Sequence, residues 1–133
     1  MVQIGQSRIA KIYRELKDLN LDYAENAAAV LFRVFIELSL DCYLEKYPVG
    51  RLTQNSKLKT KLSEIGKDLE LKGLMTRHEL KAVYTSSSMN DNIMSIDTFN
   101  AYVHNKLFQP DPKNLKKTWD NLEHFFIKLW ELI

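Results

Sequence analysis

Cysteine is almost missing from this chain: Cys42 is the only one. A single thiol cannot build an intrachain disulfide framework, so a reducing compartment is the simpler expectation. A cysteine-based zinc centre goes with it, because one thiol and the dispersed His78, His104 and His124 offer no ligand spacing. Glycine and proline are scarce, four and three in 133 residues, and no alternating strand pattern bounded by turn residues stands out. There is no glycine-rich phosphate loop, no His-Glu-x-x-His and no nucleophile elbow. Ser86 to Ser88 have no evident base, and Glu37 with Asp41 lack the second acidic pair of a carboxylate metal site. No cofactor and no metal are therefore expected. Charge of one sign is also lacking. Lysine and arginine number 19 against 17 acidic residues, and the balance of +2 is too small to imply nucleic acid by itself.

A long uninterrupted apolar run is absent too. The closest approach, Ala27 to Leu44, has the length to raise a membrane span, but Arg33, Glu37 and Asp41 interrupt it. It reads as a buried core helix, with no membrane partner. The first residues, "MVQIGQSRIAKIYRELKDL", are charged and helical rather than a secretory signal. The expected location is cytoplasmic.

What is present is helical periodicity. Hydrophobic residues make up 45% and charged residues 27%, enough apolar content for a core and against disorder. The first helix reads as Ser7 to Leu19, with Ile9, Ile12, Leu16 and Leu19 on one face. "NLD" breaks it, and Asp22 is positioned to cap a second helix from Tyr23 to Lys46, which Pro48 and Gly50 stop. A third helix, Ser56 to Leu71, has the apolar line Leu58, Leu62, Ile65 and Leu69 and ends at Gly73. Thr76 and Glu79 form a capping-box pattern for a fourth, Arg77 to Ser86. "SSSMNDNIM" reads as a loop, and Ser95 caps a short fifth helix to Asn105. Asp111 caps the last, with Pro112 at its first position and Leu115, Trp119, Leu122, Phe126, Leu129 and Trp130 along it. The expected fold is all-α: a single-domain antiparallel bundle of about five to six helices over residues 1–133, with the second helix central because it is apolar nearly all round. The chain stops inside the last helix with no stop signal, so one expectation is a domain excised from a longer protein.

Three features carry chemistry. Arg33, Glu37 and Asp41 are spaced four apart and form a single polar stripe on the central helix. Two readings stand side by side: a solvent-facing strip with a weak surface pair, or a stripe facing a groove or partner, where Arg33 would contact an anion. Asn100 and His104 lie one turn apart on the edge of the face formed by Ile96, Phe99, Val103 and Leu107. They either satisfy local hydrogen bonds or form a site. Lys57, Lys59 and Lys61 in "KLKTK", then Lys113, Lys116 and Lys117, would contact phosphates or simply be solvated, since acidic residues interleave them. Trp119, Phe126 and Trp130 read as core. Phe125 lies off that stripe and, with Tyr102 and Phe108, would leave an exposed apolar patch of the kind that marks an interface.

A helix with Asn100 and His104 at this spacing, late in an all-α bundle, resembles the HEPN superfamily of helical domains. The central "AAAVLFRVFIELSLDCYLEKY" is similar to the second helix of that family. Active members share an Arg-Asn-x-x-x-His motif and are commonly metal-independent ribonucleases that work as dimers around a shared cleft, frequently in defence and toxin–antitoxin systems. In this chain Asn100 and His104 match, while Phe99 stands where the motif has arginine. The resemblance thus implies a degenerate ribonuclease: a non-catalytic module for dimerisation, assembly or RNA engagement, acting as a homodimer or beside another domain of a parent protein. The alternatives are a ribonuclease in which His104 is the base or acid, Asn100 orients it and Arg33 supplies the missing cation, and a plain protein–protein adaptor. The candidate binding residues are Glu37, Asp41, Tyr102, Lys57, Lys59 and Lys61.

Overall fold

The computed structural model describes residues 1–88, 106–107 and 109–133. Among the described residues the structure is helical, with five helices and no strand: α1 (Ser7–Asp18), α2 (Glu25–Lys46), α3 (Leu58–Leu71), α4 (Lys81–Ser88) and α5 (Pro112–Leu132). None of them is long and apolar enough to cross a membrane. The fifth helix expected over Ser95 to Asn105, with Phe99, Asn100, Tyr102 and His104, lies outside the described residues, as does Phe108.

The ends of the helices follow local chemistry. Gln6 caps α1 by accepting from the Ile9 amide at 2.7 Å. Asp111 caps α5 by accepting from the Lys113 amide at 3.0 Å, ahead of Pro112. Gly73, at φ 72°, lets α3 finish in a Schellman turn: the Leu74 amide bonds the Leu69 carbonyl at 2.9 Å and the Gly73 amide bonds Glu70 at 3.0 Å. Two expectations are corrected. The cap position of α2 is Ala24 and no side chain bonds there; the Asp22 amide instead donates to Asn20 Oδ1 in a local turn. The capping box of Thr76 and Glu79 forms, at 3.0 and 3.1 Å, but a turn precedes the regular helix, which starts at Lys81 and takes in Ser86 to Ser88. Ser87 tolerates this because its hydroxyl donates to the Val83 carbonyl at 2.8 Å.

Helix α2 packs against α1, α3 and α5, while α4 packs against α3 and α5. Thus α2, α3, α4 and α5 close a ring around Phe35, Ile36, Leu40, Leu62, Ile65, Leu69, Leu80, Leu122 and Phe126, all inaccessible to solvent. Full burial of each contributes about 2 kcal/mol of apolar transfer energy. Gly66 brings α3 close to α4: a Cβ there would lie 3.2 Å from Tyr84. The chain neighbours α1 and α2 run antiparallel, with Tyr13 against Phe35 and, further along α1 and back along α2, Leu16 and Phe32 lining one cavity.

The pair α2 and α5, distant in sequence, runs parallel. Contacts climb both helices together, from Glu25 with Gln109, through Phe35 with Phe126, to Ser39 with Trp130. Parallel packing brings two carbonyl-rich C-termini to one end of the molecule. Lys46 Nζ donates there to the carbonyls of Leu132 and Ile133 at 3.2 and 2.8 Å, and the Tyr47 hydroxyl donates to Leu132 at 2.9 Å. A cation and a donor at that point offset the aligned dipoles.

Candidate functional site

The other end of the α2–α5 pair is open. Helix α1 and the start of α5 flank α2 on two sides and meet where Tyr13 and Trp119 touch, ring centroids 5.9 Å apart. Beyond that contact lies a cavity of about 290 Å³. Leu16, Leu19 and Leu21 form one wall, Ala28 and Phe32 the floor, and Leu115 and Trp119 the other wall. Trp119 also touches Phe32 and Phe35 at 5.8 and 5.9 Å. Its indole N–H donates to Glu123 Oε2 at 3.1 Å, which fixes the ring. Ala28 is the smallest side chain of the lining.

The rim is charged. Lys17 stands over the Tyr13 ring, Nζ 5.5 Å from the centroid, and Lys116 rises from the α5 side. Asp120 follows Lys116 one turn along. Among the described residues neither lysine forms an ion pair.

The polar stripe of α2 divides into different environments. Arg33 is buried, 5% exposed, so the reading of a solvated strip does not hold at that position. Burial pushes its pKa down and Glu37, at 4.0 Å, opposes the shift. The guanidinium nonetheless remains charged in the interior. Asp41 accepts from Lys61 Nζ at 2.8 Å. The basic run is corrected here: Lys57 is exposed and Lys59 half-buried, but Lys61 is only 1% exposed. Its ammonium is held by Asp41 and by the Gln54 carbonyl at 2.7 Å, a structural tie between α2 and the loop before α3. A buried ammonium needs such partners, and a run of alternating lysines gives no sign of which one turns inward. Phe125 is corrected as well: it is 1% exposed and packs edge-on against Phe126, so it forms no surface patch.

Near the end of α2, Tyr43 donates to Asp68 Oδ2 at 2.7 Å, and Lys72 pairs with the same carboxylate at 2.8 Å while lying 4.8 Å from the Tyr47 ring. Burial and the Asp68 carboxylate raise the pKa of the Tyr43 phenol. Its proton is committed to that bond. Burial, followed by Glu45 and Asp41, raises the Cys42 thiol, which disfavours the nucleophilic thiolate. Among the described residues no group of three or more His, Cys, Asp or Glu is placed to hold a metal ion.

The cavity between α1, α2 and α5 is the feature that sequence reading did not single out. Part of the signal was present: Leu16 and Leu19 extend the apolar line of α1 to its end, and Lys116 belongs to the basic group before Trp119. What no local pattern encodes is the parallel pairing of α2 with α5 that sets those residues opposite α1. Comparison with family models, with curated proteins and with solved structures finds no match.

Proposed function

We propose that this protein is a non-catalytic helical interaction module, HEPN-like in kind, whose work is assembly with a macromolecular partner through the groove between α1, α2 and α5. The observation that carries the reading is an open apolar cavity of about 290 Å³ bordered by Lys17 and Lys116. The accessible part of the depression is mostly apolar and its rim is charged, the centre-and-rim pattern of a protein contact. Toward the opposite end of α2, Asp41 is held by Lys61, and Asp68 of α3 is held by Lys72 and Tyr43; these groups serve the fold.

Anilinonaphthalene sulfonate, an apolar dye with one anionic group, tests the groove directly. It should bind with quenching of tryptophan emission, and Ala28→Phe, which fills the floor, should abolish the effect. A dye that ignores the native protein, or binds the filled variant equally well, contradicts the reading. The non-catalytic part rests on the resemblance, and incubation of a labelled RNA pool with chelator tests it. No cleavage is expected; cleavage lost in His104→Ala would make Asn100 and His104 an active site. The homodimer and the defence-type setting belong to the same resemblance, and light scattering over a concentration series reads the dimer.

A further inference from the structure

The size and charge of the groove narrow what it receives. Sites for whole small molecules usually enclose about 300–1,000 Å³, and this cavity, at about 290 Å³, lies at the lower edge of that range. A cavity of about 150 Å³ accepts a single benzene ring. Two bulky side chains would therefore fill this one. Two anchors a helical turn apart are how an amphipathic helix docks between flanking helices, and here α1 and α5 supply the flanks with α2 beneath.

The rim selects charge. Lys17 and Lys116 face the cavity from opposite sides, and the exposed Lys113 lies one turn before Lys116. Asp120 is the single acidic residue in the lining. An occupant with carboxylates beside its apolar anchors would meet these ammonium groups, while a basic one would be repelled. A second copy of the chain suits the groove poorly. A two-fold contact centred here would bring two copies of the same basic rim together.

Resting on the groove reading above, we infer that the occupant is an acidic amphipathic helix of a partner protein, with two apolar side chains seated on Ala28, Phe32 and Trp119 and carboxylates at Lys17 and Lys116. The chain contains two tryptophans, so Trp130→Phe leaves Trp119 as the sole fluorescent reporter at the site. The probe is a helix-stabilised synthetic peptide with Leu and Phe anchors at helical spacing and Glu on the flanking positions. Comparison peptides replace Glu by Lys, or the anchors by Ala.

The Glu peptide should shift Trp119 emission saturably, and the Lys peptide should bind at least about tenfold more weakly. Loss of the anchors should abolish binding. Lys17→Glu combined with Lys116→Glu should reverse the preference between the Glu and Lys peptides; both positions are exposed, and helical circular dichroism of the double variant checks that the fold is kept. Equal binding of both peptides, or an unchanged preference in the double variant, overturns the charge assignment. Dye binding without peptide binding overturns this occupant and leaves the groove reading standing. Failure of the dye and the peptide together overturns both. A mass that doubles with concentration, with Trp119 emission changing in step, overturns the acidic partner in favour of a second copy.

Discussion

The two halves of α2 are built on opposite plans. From Asp41 onward its side chains are large and tied by polar bonds: Asp41 to Lys61, Tyr43 to Asp68, and Lys46 and Tyr47 to the end of α5. Toward its start the helix reads Ala27, Ala28, Ala29, and a cavity lies between it and its neighbours α1 and α5. Bulky residues with polar tips draw α3 and α5 into fixed positions. Small ones leave the flanking helices nothing to close on. One helix thereby provides a rigid base at one end and a receptive surface at the other, which is the division of labour expected when a site is supported by a stable frame.

The largest effect should come from the tied half. Lys61→Met removes one partner of an ion pair whose ammonium is almost fully buried, leaving Asp41 unpaired. Such losses run about 3–5 kcal/mol, and because the Asp41 side chain is 20% exposed, the lower value, about 3 kcal/mol, is expected in urea denaturation. Lys61→Met with Asp41→Leu should recover most of it, since two apolar groups need no partner. A double variant as unstable as the single one would mean that the contact to the Gln54 carbonyl, rather than the ion pair, holds the loop.

A pair of adjacent alanines sharpens the contrast within the other half. Both alanines are buried, Ala28 at 1% and Ala29 at 0% exposure, but only Ala28 lines the cavity. Ala29→Leu should cost about 2 kcal/mol by overpacking. Ala28→Leu should change stability by less than about 1 kcal/mol, with a gain if the new side chain fills the gap. Equal losses at both positions would show that the cavity does not accept side chains. Trp130→Phe, back at the tied end, removes the indole bond to the buried Ser39 hydroxyl at 3.1 Å and should cost about 1 kcal/mol.

Much of the fold could be read from sequence, because helix periodicity and caps act over a few residues. The starts of α1 and α5 and the end of α2 fall where Ser7, Asp111 and Pro48 place them, and Gly73 stops α3 through a bond pattern within its own turn. Predictions failed where a distant residue decides the outcome. Lys61 looks like its exposed neighbours until Asp41 and Gln54 are brought to it, and Phe125 is inside because α5 buries more than one stripe. Arg33 sits at the right spacing for a surface pair and is nevertheless buried. The groove is the extreme case, being assembled from three helices whose adjacency has no local signature. Its lysines were visible, but their position opposite an apolar floor was not.

The smallest effect is also the most specific in pH. Glu79 bonds the Thr76 amide within its capping box and accepts from His124 on α5 at 2.7 Å, joining the turn before α4 to the neighbouring helix. The Thr76 bond first, then His124, lower its pKa from 4.5 to about 2. A carboxylate with a depressed folded pKa stabilises above its unfolded value, and the contribution disappears as pH falls through the folded one. Wild type should therefore melt above Glu79→Gln at neutral pH, with the gap narrowing from pH 4.5 and closing near pH 2. Glutamine keeps a cap for the Thr76 amide, so the gap reports charge rather than loss of the box. In His124→Ala the window should move up only in part, because the backbone bond is the larger cause. A gap that stays constant down to pH 2 would mean that this carboxylate is not held in its ionised form by the fold, and that the link from the turn before α4 to α5 adds nothing to the frame behind the groove.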